Sequence, residues 1–89
     1  MNHDVEALKT FLDQQPEKPR LHINGGDFPF AILSVDYGQP LSGVLISSER
    51  GNELTSLMRV AAKTMTKRRG SIRVNFDNSH GVFYASMAS

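Results

Sequence analysis

Two stretches of the chain carry apolar residues at the spacing of an α-helix. In the first, Val5, Leu8 and Leu12 fall on one face of residues 3–15. Because these positions recur with the helical period, we predict a helix there. Pro16 ends it, since a residue that precedes proline is driven out of helical geometry.

The second helical stretch is longer and covers about 52–68. From Leu54 onwards its apolar residues follow the i, i+3, i+4, i+7 pattern of one buried face. Ser48 can cap its start, and Gly70 is a typical stop after its end. We expect four residues of this face to be buried: Leu57, Met58, Ala61 and Met65. We expect the cations opposite them to be exposed: Arg59, Lys63 and Lys67.

Five shorter stretches predict β-strands, because they alternate apolar with polar residues or are rich in aromatic and β-branched ones. Turn sequences rich in Gly, Asn and Asp separate them, and Asn24–Asp27 is the strongest of these. Pro29 favours an edge or entry position for the second strand. The predicted strands are Arg20–Asn24, Phe28–Val35, Leu41–Ser47, Ile72–Asp77 and Val82–Met87.

Together these elements predict an α+β fold with the order α-β-β-β-α-β-β. The chain has 89 residues, which is enough for one domain, so we treat residues 1–89 as a single unit. We expect an antiparallel sheet of about five strands with both helices packed on one face. The chain has no cysteine, so disulfides and thiolate chemistry are excluded. The fold must therefore rely on its core or on a partner subunit.

The last predicted strand is apolar on both faces. Phe83 and Ala85 alternate with Val82 and Tyr84. Such a strand is either central in its sheet or an edge that pairs with another chain. The second alternative predicts a homodimer, or docking on a partner, through this C-terminal strand.

The charges are unevenly distributed along the chain. The formal net charge is +1, but residues 59–73 hold six cations and no acid, while the other four Lys and Arg accompany all nine Asp and Glu. The six cations are Arg59, Lys63, Lys67, Arg68, Arg69 and Arg73. A positive patch of this kind suits phosphates. Cations at a helix C-terminus also interact favourably with the helix dipole, so a solvated helix end is the alternative.

The aromatic residue nearest to these cations is Phe76. It alternates in phase with Ile72 and Val74, so we expect its ring to point into the core. Base stacking on an exposed aromatic ring is therefore not predicted for the basic segment.

The sequence motifs do not indicate catalysis or metal binding. No serine stands in a Gly-x-Ser-x-Gly elbow. Three carboxylates fall in turns, where Asp commonly caps the backbone: Asp27, Asp36 and Asp77. Three histidines lack metal-ligand spacing: His3, His22 and His80. We therefore predict no enzyme, no cofactor and no metal site.

The hydropathy pattern also bears on location. No apolar run approaches the roughly 20 residues that span a bilayer. The first residues lack the basic start and apolar stretch of a secretion signal. We therefore expect no membrane partner and a cytoplasmic location.

Two hypotheses of function follow. In the first, the chain is a small binding protein whose basic segment contacts nucleic acid or a nucleic-acid-containing complex. In the second, it is a regulator or inhibitor of the kind that phages and other mobile elements encode. It would dock on an acidic surface of a host protein through the same segment or through the C-terminal strand.

Overall fold

The computed structural model describes residues 3–24, 31–41, 47–66 and 70–88. These residues form two helices and four strands, which confirms the α+β class. Four strands are described where about five were expected. The elements are α1 (His3–Asp13), β1 (Arg20–Ile23), β2 (Ala31–Asp36), α2 (Ser48–Met65), β3 (Ile72–Asp77) and β4 (Val82–Met87).

The four strands form one antiparallel sheet in the order β1-β2-β4-β3. β1 pairs with β2, and β3 pairs with β4, as neighbours along the chain commonly do. The two pairs join through β2 and β4, which are therefore both central. Among the described strands, β1 and β3 form the two edges of the sheet.

Part of the predicted strand set lies outside the described residues. Of the predicted third strand, Leu41–Ser47, only the two end residues are described. The Leu41 N–H donates to the Asn78 carbonyl at 3.0 Å. Ser47 is the N-cap of α2, one residue before the expected cap.

The position of β4 decides between the two alternatives for the C-terminal strand. β4 has a hydrogen-bonded neighbour on each side, so the central alternative is correct. Its main-chain groups are used by β2 and β3, and it offers no free edge to a second chain. The edge of this strand is therefore not open to a second chain, and the homodimer itself stays a prediction. Any self-association must use another surface.

The register of the sheet sorts its side chains into an apolar face and a polar face. Leu21, Val35, Phe83 and Phe76 form one row across all four strands. Since directly opposed residues share a face, this row and the next apolar one point towards the helices. The buried apolar core consists of Val5, Leu8, Leu12, Ile32, Leu33, Val35, Tyr37, Leu54, Met58, Ala61, Ala62, Ile72, Phe83 and Ala85.

The buried face of α2 overlaps the predicted face but is rotated slightly around the helix axis relative to it. Met58 and Ala61 are buried as expected, together with Leu54 and Ala62. Leu57 and Met65 are half-buried and pack at the margin of the core. The stripe in contact with the sheet is therefore centred on Leu54, Met58 and Ala61.

Both helices end earlier than their sequence patterns predicted. α1 stops at Asp13 instead of residue 15. α2 stops at Met65, because Thr66 adopts an extended conformation with φ −95° and ψ 139°. Thr66 is β-branched, which favours this geometry. Gly70 lies five residues beyond the helix and has a φ of 141°, so it shapes the entry into β3 instead of capping α2.

A small polar cluster joins the end of α1, the end of β2 and the start of α2. The Tyr37 hydroxyl donates to Gln15 Oε1 at 2.7 Å, and both residues are buried. Beside them, Arg50 and Glu17 form an ion pair at 3.4 Å. Burial raises the pKa of the Tyr37 phenol, with Glu17 adding to the rise while Arg50 and the Gln15 hydrogen bond oppose it. These contacts fix both helices relative to the sheet.

Substitutions at Leu54 and Leu57 test the assigned face of α2. Leu54 is fully buried, so Leu54→Ala should lower the free energy of unfolding by about 2–5 kcal/mol. Leu57→Ala should cost on the order of 1 kcal/mol, because the side chain is only half-buried. Urea denaturation of both variants measures the difference. Equal losses would show that the helix is rotated relative to this description.

Tyr37→Phe tests the polar cluster. Removal of the hydroxyl leaves the buried Gln15 oxygen without its donor, so we expect a loss of about 1–3 kcal/mol. Because the folded pKa of Tyr37 is raised, the unfolded chain releases the phenol proton first, and the parent loses stability as the pH rises above about 10.

Denaturant titrations at neutral and alkaline pH make this measurement. Tyr37→Phe should lose less stability than the parent over the alkaline range. Tyr84→Phe, on the other face of the sheet, controls for the loss of one tyrosine hydroxyl. If both variants matched the parent at every pH, the Tyr37–Gln15 bond would contribute nothing.

Candidate anion-binding surface

The described part of the predicted basic patch contains three cations. Arg59 and Lys63 are exposed on α2, as predicted, and Arg73 is exposed on β3. The other three predicted site residues, Lys67, Arg68 and Arg69, lie outside the described residues. They connect the two described parts along the chain.

None of these three cations is neutralised by a described carboxylate. The ion pairs in which both partners are described join Lys9 with Glu6, Arg50 with Glu17, and His80 with Asp77. Arg59, Lys63 and Arg73 take part in none of them. No described carboxylate therefore competes with an external anion for these charges. Lys63 also stands in the last turn of α2, where the helix dipole favours a cation.

The direction of Arg59 follows from the packing of the two helices. The Thr64 hydroxyl on α2 donates to the Asp4 carboxylate on α1 at 2.5 Å, which marks the side of α2 that faces α1. Arg59 is five residues away, so it projects about 140° around the helix from Thr64. It therefore faces away from α1.

Arg73 belongs to a different surface from the two helix cations. Its neighbours Ile72 and Val74 point towards the helices, so Arg73 points to the opposite face of the sheet. The described cations of the predicted patch are therefore divided between the outer side of α2 and the face of the sheet that neither α1 nor α2 covers. Contact with all of it requires a partner that extends around the β3 edge.

The sheet face opposite the helices carries a polar row with one aromatic ring at its centre. His22, Ser34, Tyr84 and Asn75 lie directly opposite one another across all four strands. Arg73 lies two residues before Asn75 on β3. Sequence patterns alone do not group these residues, because the grouping depends on the strand order. The alternation within each strand was the signal that each of them faces outwards.

A second row of this face carries acidic groups. This row runs across the four strands from β1 to β3 and consists of Arg20, Asp36, Val82 and Asp77. Asp36 and Asp77 both accept backbone hydrogen bonds in turns, the role expected for them. The His80 ring hydrogen-bonds the Asp77 carboxyl at 2.7 Å and holds its pKa below the usual value. The end of the face near Arg73 is therefore the end better suited to an anion.

Phe76 differs from its expected environment. It does share a face with Ile72 and Val74, but 56% of the residue is exposed. Its ring packs against Phe83 with centroids 5.6 Å apart. Because β3 is an edge of the described sheet, no further described strand covers the other side of this ring.

The structure bears on the metal and membrane predictions only for the described residues. Among them, no group of three or more His, Asp and Glu side chains is placed to hold a metal ion. No helix in the described ranges is long and apolar enough to cross a membrane.

Comparison of the chain with models of known protein families, with curated proteins and with solved structures gives no match.

Proposed function

We propose that this chain is a small non-enzymatic binding protein whose basic surface contacts nucleic acid or a nucleic-acid-containing complex. The observation that carries the proposal is the exposure of Arg59 and Lys63 on one side of α2 without a described acidic partner. In the sequence, this side continues directly into Lys67, Arg68 and Arg69.

The spacing of these cations favours an extended polyanion over a small anion. Arg59 and Lys63 are one helical turn apart, which separates them by roughly 6 Å along the axis. Both project from the outer surface of a helix and do not converge on a common point. A chain of phosphates can contact such side chains in succession and release condensed counterions as it does so. Contacts of this kind position the nucleic acid without reading its sequence.

A regulator that docks on an acidic host protein is the second candidate function. It would use the same cations, because β2 and β3 already pair with the two main-chain edges of β4. The two candidates differ in the chemistry of the partner. A pull-down from cell extract with and without nuclease treatment distinguishes them, since only protein partners survive nuclease.

Charge reversal on α2 tests the proposal. The double variant Arg59→Glu/Lys63→Glu and the triple variant Lys67→Glu/Arg68→Glu/Arg69→Glu should each weaken binding to labelled DNA and RNA. The slope of log affinity against log salt should fall by about one for each phosphate contact that is lost. Fluorescence anisotropy over a salt series measures both quantities.

The matched control is Lys9→Glu/Arg20→Glu, which changes the net charge by as much as the α2 double variant. Both residues are exposed and lie outside residues 59–73. This control should lose much less affinity than the α2 variant. If the two folded double variants lost affinity equally, only net charge would matter. If the α2 and triple variants both kept the parent's affinity, the basic segment would be a solvated helix end.

A further inference from the structure

The main-chain groups on the outer edge of β3 can be assigned from its pairing with β4. The Ala88 N–H donates to the Ser71 carbonyl at 2.8 Å, and the two residues lie directly opposite in the β3–β4 register. In an antiparallel ladder, such hydrogen-bonded pairs recur at every second residue. Three residues therefore direct their main chain to β4: Arg73, Asn75 and Asp77. The three that direct it to the outer edge are Ile72, Val74 and Phe76.

The side chains of this edge strand are complementary to their own reversed order. The segment reads Arg73-Val74-Asn75-Phe76-Asp77, with a cation and an acid at equal distances from Asn75. Arg73 and Asp77 face the open side of the sheet, while Val74 and the exposed Phe76 face the helix side.

We propose that β3 pairs with β3 of a second copy of this chain, antiparallel and with the two-fold axis at Asn75. In this register Arg73 lies opposite Asp77 of the second copy, and the reverse, so two ion pairs form on the open face. Val74 lies opposite Phe76 of the second copy, which covers the exposed ring. The outward N–H and C=O groups of Val74 and Phe76 supply the hydrogen bonds between the strands. The result is one continuous eight-stranded sheet.

The charges select this register from those that the main chain permits. A two-fold axis at Val74 places Arg73 opposite Asn75, and an axis at Phe76 places Asn75 opposite Asp77. Both arrangements leave the charges without partners across the junction. The Asp77 carboxylate already accepts bonds from Ser79 and His80, but its side chain is 43% exposed and has acceptor capacity left for an arginine.

This dimer does not depend on the proposed nucleic-acid binding, but it changes the shape of the basic surface. The two-fold axis of an antiparallel strand pair is perpendicular to the sheet, so both helix layers lie on the same side. α2 packs on β3. Its Arg59 side chain faces away from α1. The two copies of α2 therefore flank the junction and line it with their cations.

Charge exchange between two variants tests the pairing. In a dimer of Arg73→Glu, each new Glu lies opposite Asp77 of the second copy, and in a dimer of Asp77→Lys, each new Lys lies opposite Arg73 of the second copy. Like charges then face each other twice across the junction, so each variant alone should be monomeric where the parent dimerises. Mixed together they restore both opposite-charge pairs, and a heterodimer should form. Analytical ultracentrifugation of each variant and of the mixture measures this, with circular dichroism to verify folding.

A single cysteine tests the register independently of Asp77. No described strand lies beside Asn75 on the outer edge of β3 in one copy. A non-hydrogen-bonded antiparallel pair brings the two Cα atoms to about 4.5 Å, within disulfide range. Because the parent has no cysteine, Asn75→Cys should form a disulfide-linked dimer on mild oxidation, several-fold faster than the control His22→Cys on the other edge. Equal rates for the two variants, or self-association of the charge variants equal to that of the parent, would overturn the proposal.

Discussion

The structure depends on a sheet that can bury only one of its faces. The register aligns apolar positions of neighbouring strands into common rows, such as Leu21, Val35, Phe83 and Phe76. A shift of one residue in any pairing would turn a strand's apolar side chains to the polar face. The alignment therefore fixes the side on which both helices must pack. It also leaves the row of His22, Ser34, Tyr84 and Asn75 on the other side.

The same constraint explains where the helices are held. Packing on the apolar rows of the sheet holds the middle of each helix. Contacts near the strand ends must also hold the helix ends. The Tyr37–Gln15 bond and the Arg50–Glu17 ion pair do this where β2 ends and α2 begins. The cluster uses polar groups that are partly removed from water, and it fixes the orientation of α2. The outward direction of Arg59 follows from that orientation.

The periodicity of apolar residues predicted both helices and the four described strands. It could not predict the order of those strands in the sheet. The helical period of α2 correctly predicted that Arg59 is exposed and Met58 is buried, because both properties depend on the position around a single helix. The central position of β4 depends on which apolar rows meet after the chain has folded, and two apolar faces are compatible with either position. Arg73 was grouped with the helix cations by proximity in sequence, but the alternation of β3 turns it to the other face. The exposure of Phe76 has the same origin, since it follows from β3 being at an edge.

The two described edges of the sheet differ in a way that bears on pairing. Proteins commonly protect edge strands with charges, and like charges across a junction repel. β1 carries Arg20 and His22 and no acid, so two copies of β1 can form no opposite-charge pair within the strand. β3 carries Arg73 and Asp77 at equal distances from Asn75, so its charges disfavour shifted registers and favour one symmetric register. In the proposed dimer, the charge pattern that would protect this edge against arbitrary strands would make β3 selective for its own sequence.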